Sequence, residues 1–250
     1  MNRTRRFDVG AIVVALAISV GIAGVSSRGS AAPAAVPSKV AIQGGAVEPR
    51  PLVLFIDDSY TEGKSTREMS YGCRAAVQLG WLCAVSAMGG TGYISGGVAN
   101  RWVDPYGRKS LSFGERISHL AAQYDPAVVV LDGGRNDEFP PREDVYDAML
   151  STISETRRTW PRAKIVFTRP RFLAKPTGDL GFDDEFMARL KSQPAAKGVV
   201  FIDPISALSD TDTSGLISAD GIHPNAAGED RMTADLLASL TPTMSRVGSS

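Results

Sequence analysis

Asp57, Asp58 and Ser59 stand in a row after the apolar run Leu52 to Ile56 of this 250-residue chain. An aspartate nucleophile there implies phosphoryl transfer with a metal ion alongside, whereas a serine implies acyl transfer without one. The aspartate chemistry needs distant carboxylates for its metal. Asp183-Asp184 is the available pair, and it opens a helical pattern where acidic residues favour the dipole anyway. The serine chemistry needs a base, and the base needs an orienting group. The chain has only two histidines. His119 lies mid-helix in GERISHLAAQY with no acidic residue placed to orient it, and reads as an ordinary helix histidine. His223 lies in SADGIHPNAAG, three residues after Asp220. In a turn, that spacing brings the carboxylate to Nδ1–H, fixes the tautomer and leaves Nε2 to face a serine. Taken alone, Asp220 also reads as a turn residue or helix cap. Ser59 upstream gives the pair something to serve.

Acyl transfer also needs donors for the developing oxyanion. MGGTGY, from Met88 to Tyr93, offers backbone N–H groups in a glycine-rich turn, and GGRND, from Gly133 to Asp137, offers the Asn136 amide. Each segment alone reads as an ordinary turn after a strand.

The elements that must hold these groups alternate along the chain. Apolar runs at 52–56, 82–87, 127–132, 164–169 and 198–203 predict strands. Helical patterns fall at 66–79, 113–124, 142–160, 183–195 and 225–240. Strands alternating with helices predict an α/β fold, and uninterrupted apolar runs fit a parallel sheet buried on both faces. In such sheets ligands bind beyond the carboxyl ends of the strands. Asp57-Asp58-Ser59, Gly133 to Asn136 and Asp203-Pro204 all fall there.

The D-x-S-x-T pattern of Asp57, Ser59 and Thr61 partly resembles the first motif of haloacid-dehalogenase-type phosphatases, with Ser59 where their second aspartate belongs. Four segments together carry a more specific likeness. Asp58-Ser59-Tyr60-Thr61-Glu62-Gly63, Met88 to Gly92, Gly134-Arg135-Asn136-Asp137 and Asp220-Gly221-Ile222-His223-Pro224 occur in the order and form of the blocks of the SGNH/GDSL hydrolases, which the chain resembles from about residue 52 to 240. The resemblance implies a three-layer α/β/α, flavodoxin-like domain with about five parallel strands. It implies Ser59 as nucleophile, His223 as base, Asp220 as its orienter, and an oxyanion hole of the Ser59 N–H, a glycine N–H and the Asn136 amide. For the glycine, Gly90 is favoured over Gly89. No metal or cofactor is implied. One position departs from the pattern: the family's first-block glycine is Asp57 here. Arg135, beside Asn136, is open to pairing with Asp57, to pairing with an anionic substrate, or to simple solvation. Tyr93, Trp102 and Tyr106, in the long loop from Gly89 to Lys109, are candidates for a substrate pocket or for plain lid packing.

The expected function is that of an exported serine esterase acting on short acyl or acetyl esters of a small molecule, lipid or glycan. Acyl transfer to a cell-envelope sugar is the alternative, followed by a catalytically weak binding protein. Export rests on the N-terminus: Arg3, Arg5 and Arg6 precede the uncharged stretch Gly10 to Val25, then a small-residue segment, which is the layout of a signal peptide. Without cleavage it would serve as a membrane anchor. The expected layout is signal or anchor at 1–34, linker at 35–50, hydrolase domain at 51–240 and flexible tail at 241–250. The formal net charge is zero, and loss of residues 1–34 removes four basic residues and one acidic, leaving −3. No nucleic-acid partner is expected of such a surface. Cys73 and Cys83 are the only cysteines. In an oxidising compartment, a helix and strand that return past each other would bring them into a disulfide, the alternative being two buried thiols.

Overall fold

A computed structural model describes residues 50–62 and 70–244. The expected export segment, nearly all of the expected linker, residues 63–69 and the last six residues lie outside the described residues. Among the described residues, no helix is long and apolar enough to cross a membrane.

Five parallel strands form one sheet: β1 (Leu52–Asp57), β2 (Leu82–Ala87), β3 (Val128–Leu131), β4 (Lys164–Thr168) and β5 (Val200–Ile202), in the order β2-β1-β3-β4-β5. The order reverses between β1 and β3, the switch point where such sheets open a crevice at their carboxyl ends. In register, Ile56 of β1 is level with Ser86 of β2 and Leu131 of β3, so the loops that follow these strands leave the sheet side by side.

Successive side chains of β1 face opposite layers, as strand pleating requires. Leu54 and Ile56 join a core with α2 (Phe113–Ala121), α3 (Arg142–Thr159) and α4 (Asp184–Lys191). Val53 and Phe55 join a second core with α1 (Tyr71–Gln78) and α5 (Ala226–Met244). All four of these β1 side chains are buried, which explains the unbroken apolar run.

The elements start where local chemistry tells them to. Ser70 caps α1, its hydroxyl accepting from Cys73 N, and Ser112 with Glu115 forms a capping box on α2. Asp183 caps α4 by accepting from Phe186 N at 2.8 Å and pairs with Arg142. Asp183 is therefore a helix cap, as its place at the head of α4 suggested.

Two boundaries differ from expectation. Arg50, at the end of the expected linker, is tied to the domain through Gly80 O and Trp81 O, each at 2.8 Å. The closing helix runs four residues past Leu240, so residues 241–244 are helical rather than tail. Leu236 and Leu240 are buried in the second core and anchor that last stretch. Pro242 sits in the final turn, where the N–H it lacks costs one helical bond.

Cys73 on α1 and Cys83 on β2 are joined by a disulfide, with 5.5 Å between their Cα atoms. It staples the helix to the edge strand that follows it.

Candidate active site

Ser59 sits two residues past the end of β1 and His223 just before α5, 164 residues apart in sequence. The fold brings Ser59 Oγ to 2.8 Å from His223 Nε2, and His223 Nδ1 to 2.8 Å from Asp220 Oδ2. The other Asp220 oxygen accepts from the N–H groups of Ile222 and His223, both at 3.0 Å. One carboxylate thus shapes the turn and orients the ring. With Nδ1–H donated to Asp220, Nε2 is an acceptor for the Ser59 hydroxyl, the arrangement a histidine base requires. His119, by contrast, is exposed on α2.

Tyr60 locks the two halves of this relay together. Its hydroxyl donates to Ile222 O at 2.9 Å and accepts from Leu173 N at 3.0 Å. Burial pushes that hydroxyl up to about 12, so it remains a donor.

Beneath Ser59 lies a fully buried charge network. Asp58 Oδ1 accepts from Tyr60 N at 3.0 Å and fixes the turn that carries Ser59. Both Asp58 oxygens lie 3.2 Å from Arg135 Nη1. The guanidinium stacks 3.9 Å over the Tyr60 ring, and its Nε donates to Arg171 O at 2.8 Å. Arg135 is only 2% exposed and is therefore neither a solvated loop arginine nor a handle for an anionic substrate. Its nearest carboxylate is Asp58; Asp57 is farther, at 3.8 Å, and Asp132 stands at 3.5 Å.

Asp57, at the end of β1, has no solvent exposure. Its Oδ1 accepts from Asp58 N at 2.6 Å, and its Oδ2 meets the Thr61 and Tyr71 hydroxyls. Burial, then the charges of Asp132 and Asp58, push its carboxyl well above the usual carboxylate range. Burial also raises Asp132, which accepts from Tyr71 OH at 2.7 Å. Three buried carboxylates meet the Arg135 guanidinium here, and their mutual repulsion acts on Asp57 in the same direction as burial.

The turn after β2 lies over Ser59: a Cβ at Gly89 would come 3.3 Å from Ser59 Cβ. Gly90 has φ +70, a conformation that favours glycine, and faces the Trp102 indole. Among the described residues, no acceptor takes the N–H of Ser59 or of Gly90. Asn136 Nδ2 donates one hydrogen to Thr91 O at 2.9 Å, leaving its second for a ligand. Asp137 carries the next stretch of loop, accepting from Tyr93 N at 2.6 Å and Ser95 N at 2.9 Å. A second buried arginine, Arg116, reaches Asp57 O at 3.1 Å and Thr91 Oγ1 at 3.3 Å, and burial lowers it to about 10. It keeps its charge at neutral pH and ties the turn after β2 to the end of β1.

An open groove of about 500 Å³ runs from Gly90 and Asn136 past Ser95, Gly96 and Asn100 to Phe139 and Pro140. The three loop aromatics divide. Tyr93 is buried against Phe113 and Phe167, with ring centroids at 4.9 and 5.4 Å, so it is core and not pocket. Trp102 covers Gly90, and Tyr106 is exposed. Sequence reasoning missed Tyr60, Arg116 and Asp132. The one available signal was Asp132, a charge directly after an apolar strand.

A sequence model of the GDSL-like lipase/acylhydrolase family matches residues 58–231. GDSL lipase Rv0518 of Mycobacterium tuberculosis is 32% identical over 201 residues, covering 75% of this chain and 80% of that protein. Among solved structures, TesA is similar with a TM-score of 0.54 at 20% identity, covering 76% of this chain and 98% of that one. An active-site mutant of a family two carbohydrate esterase from Clostridium thermocellum gives a TM-score of 0.58 at 22% identity, covering 79% of this chain and 66% of that one. With the matched family region spanning most of the sequence, the chain belongs to the GDSL-like lipase/acylhydrolase family and is a serine hydrolase of that kind.

Proposed function

We propose that this protein hydrolyses short acyl or acetyl esters of a carbohydrate or lipid through an acyl-enzyme on Ser59. The observation that carries the reading is the Ser59–His223–Asp220 relay, with 2.8 Å at both links. His223 takes the Ser59 proton as Oγ attacks the ester carbonyl, then returns it to the leaving alcohol. Asp220 holds the imidazole and stabilises its cationic form. The N–H groups of Ser59 and Gly90 and the free Asn136 amide hydrogen receive the oxyanion. Water, activated by His223, then releases the acid.

The short-acyl preference is supported by the groove beside Gly90 and Asn136, which is open and lined largely by small and polar residues. Phe139, 85% exposed at its edge, offers a flat apolar face to a sugar ring or a lipid. Location outside the cytoplasm belongs to the same proposal and is supported by the basic-then-apolar N-terminal pattern.

A panel of p-nitrophenyl esters from acetate to palmitate, with acetylated sugars alongside, tests the proposal. Expected is highest kcat/KM on the short esters and a loss of about 10³-fold or more in Ser59→Ala. Full activity in Ser59→Ala would overturn the assignment of the nucleophile, and a preference for palmitate would overturn the substrate class.

A further inference from the structure

Glu62 lies one turn past Ser59, and nothing in the relay uses it. Its carboxylate is not idle. Oε2 accepts from the backbone N–H of Gly89, the residue that lies over Ser59. Oε1 faces Arg108 Nη2 at 3.6 Å. Arg108 is held in turn by Asp104, whose Oδ2 lies 2.5 Å from Arg108 Nε and whose Oδ1 accepts from the N–H groups of Tyr106 and Arg108 at 2.9 and 2.8 Å. One side chain therefore joins three segments: the nucleophile turn, the oxyanion turn and the far end of the long loop after β2.

The geometry of the donors gives this link its meaning. Gly89 and Gly90 are consecutive, so an anchor on the Gly89 N–H leaves only the two Gly89 dihedrals between it and the direction of the Gly90 N–H. The Gly89 donor is spent on Glu62, and the Gly90 donor has no acceptor among the described residues. An oxyanion donor works by being aimed before charge develops, and a glycine pair is the backbone least able to hold its own aim. We propose that Glu62 is a positioning residue that clamps the Gly89 N–H and so restrains the glycine turn beside Ser59, the Gly90 N–H included, with Arg108 holding the clamp. This rests on the esterase reading of Ser59 and His223.

Such a role acts in the transition state and not on ground-state binding, so it separates from a merely structural one by a kcat-against-KM split. The variants are Glu62→Ala, Glu62→Gln and Arg108→Ala, assayed with p-nitrophenyl acetate beside Ser59→Ala and checked for Tm. Glu62→Ala should lower kcat by about ten- to hundredfold, the weight of one charge-assisted hydrogen bond, with KM within about twofold of the parent. Glu62→Gln keeps an acceptor for Gly89 and should recover kcat to within about fivefold. Arg108→Ala, at an exposed position that does not threaten folding, should lower kcat by about two- to fivefold. An unchanged or raised kcat in Glu62→Ala overturns the clamp. So does a loss in Glu62→Gln as large as in Glu62→Ala, or a loss carried by KM or tracked by Tm. Should Glu62→Ala fail to fold, Glu62→Gln and Arg108→Ala decide: parental kcat in Arg108→Ala overturns the clamp. Failure of the underlying reading looks different, because Ser59→Ala would then keep its activity.

Discussion

Asp57 is a fully buried carboxyl at the end of β1, and its replacement by Asn and by Ala makes a sharp test. Asp57 accepts from Asp58 N with one oxygen and meets the Thr61 and Tyr71 hydroxyls with the other. Asn has the same shape, one acceptor and one donor group, so Asp57→Asn should fold with a stability within about 1 kcal/mol of the parent at pH 5. Asp57→Ala strands the Asp58 N–H and the Thr61 hydroxyl in a dry site, at about 1–3 kcal/mol each, for a total of about 2–6 kcal/mol. The pH dependence carries the sign. The folded-state pKa of Asp57 is raised above its unfolded value near 4, so the folded state keeps a proton that the unfolded chain releases. That contribution is whole below about pH 4 and is lost as pH rises through the folded pKa, at about 1.4 kcal/mol per pH unit. Asp57→Asn lacks the titration, so its stability should gain on the parent as pH rises from about 4 toward the raised folded pKa of Asp57. Urea unfolding of the three proteins at pH 5, 6, 7 and 8 measures this. A gap between parent and Asp57→Asn that does not change with pH, or an Asn variant as unstable as Ala, would show that Asp57 is ionised in the fold and refute the reasoning.

Three further outcomes follow from the same geometry. Arg135→Met removes the counter-charge of buried Asp58 and should cost about 3–5 kcal/mol, a Tm fall of about 6–20 °C by scanning calorimetry. Reducing the Cys73–Cys83 disulfide frees a loop with a sequence separation of 10 and should cost about 2.5–3 kcal/mol, seen as a Tm lower by about 5–12 °C with dithiothreitol than without. Gly92→Ala drives a Cβ into the Asp137 carboxylate, whose Oδ2 is held by Tyr93 N and whose Oδ1 is held by Ser95 N; kcat on p-nitrophenyl acetate should fall at least about tenfold.

The strands were legible because each is a short apolar run, and the sheet buries the central ones on both faces, β3 (Val128–Leu131) most cleanly, while β2 and β5 at its edges are only partly covered. Helix starts were legible where a cap residue stands at the boundary, as with Asp183 on α4. The relay was legible through scarcity: two histidines, only one with an acid three residues earlier. What lies under the relay was not. Arg135 follows two glycines in a polar loop, so its pattern is that of a surface residue, yet Asp58 and the Tyr60 ring draw it inside. Tyr93 sits in a glycine-rich loop that suggests a rim, but the space between Phe113 and Phe167 takes its ring. Both depend on contacts between residues far apart in sequence, which spacing along one segment does not encode. The fold's end was misjudged for a local reason: the segment after Leu240 is polar and reads as a tail, yet α5 continues through it to Met244.

The central claim is that Ser59 is a nucleophile made reactive by His223. Intact-protein mass spectrometry after treatment with a fluorophosphonate, followed by peptide mapping, tests it directly. The account predicts one adduct per chain on Ser59, labelling slowed by at least about 10²-fold in His223→Ala, and none in Ser59→Ala. An adduct on another residue, or labelling of Ser59 at the parental rate in His223→Ala, would contradict it.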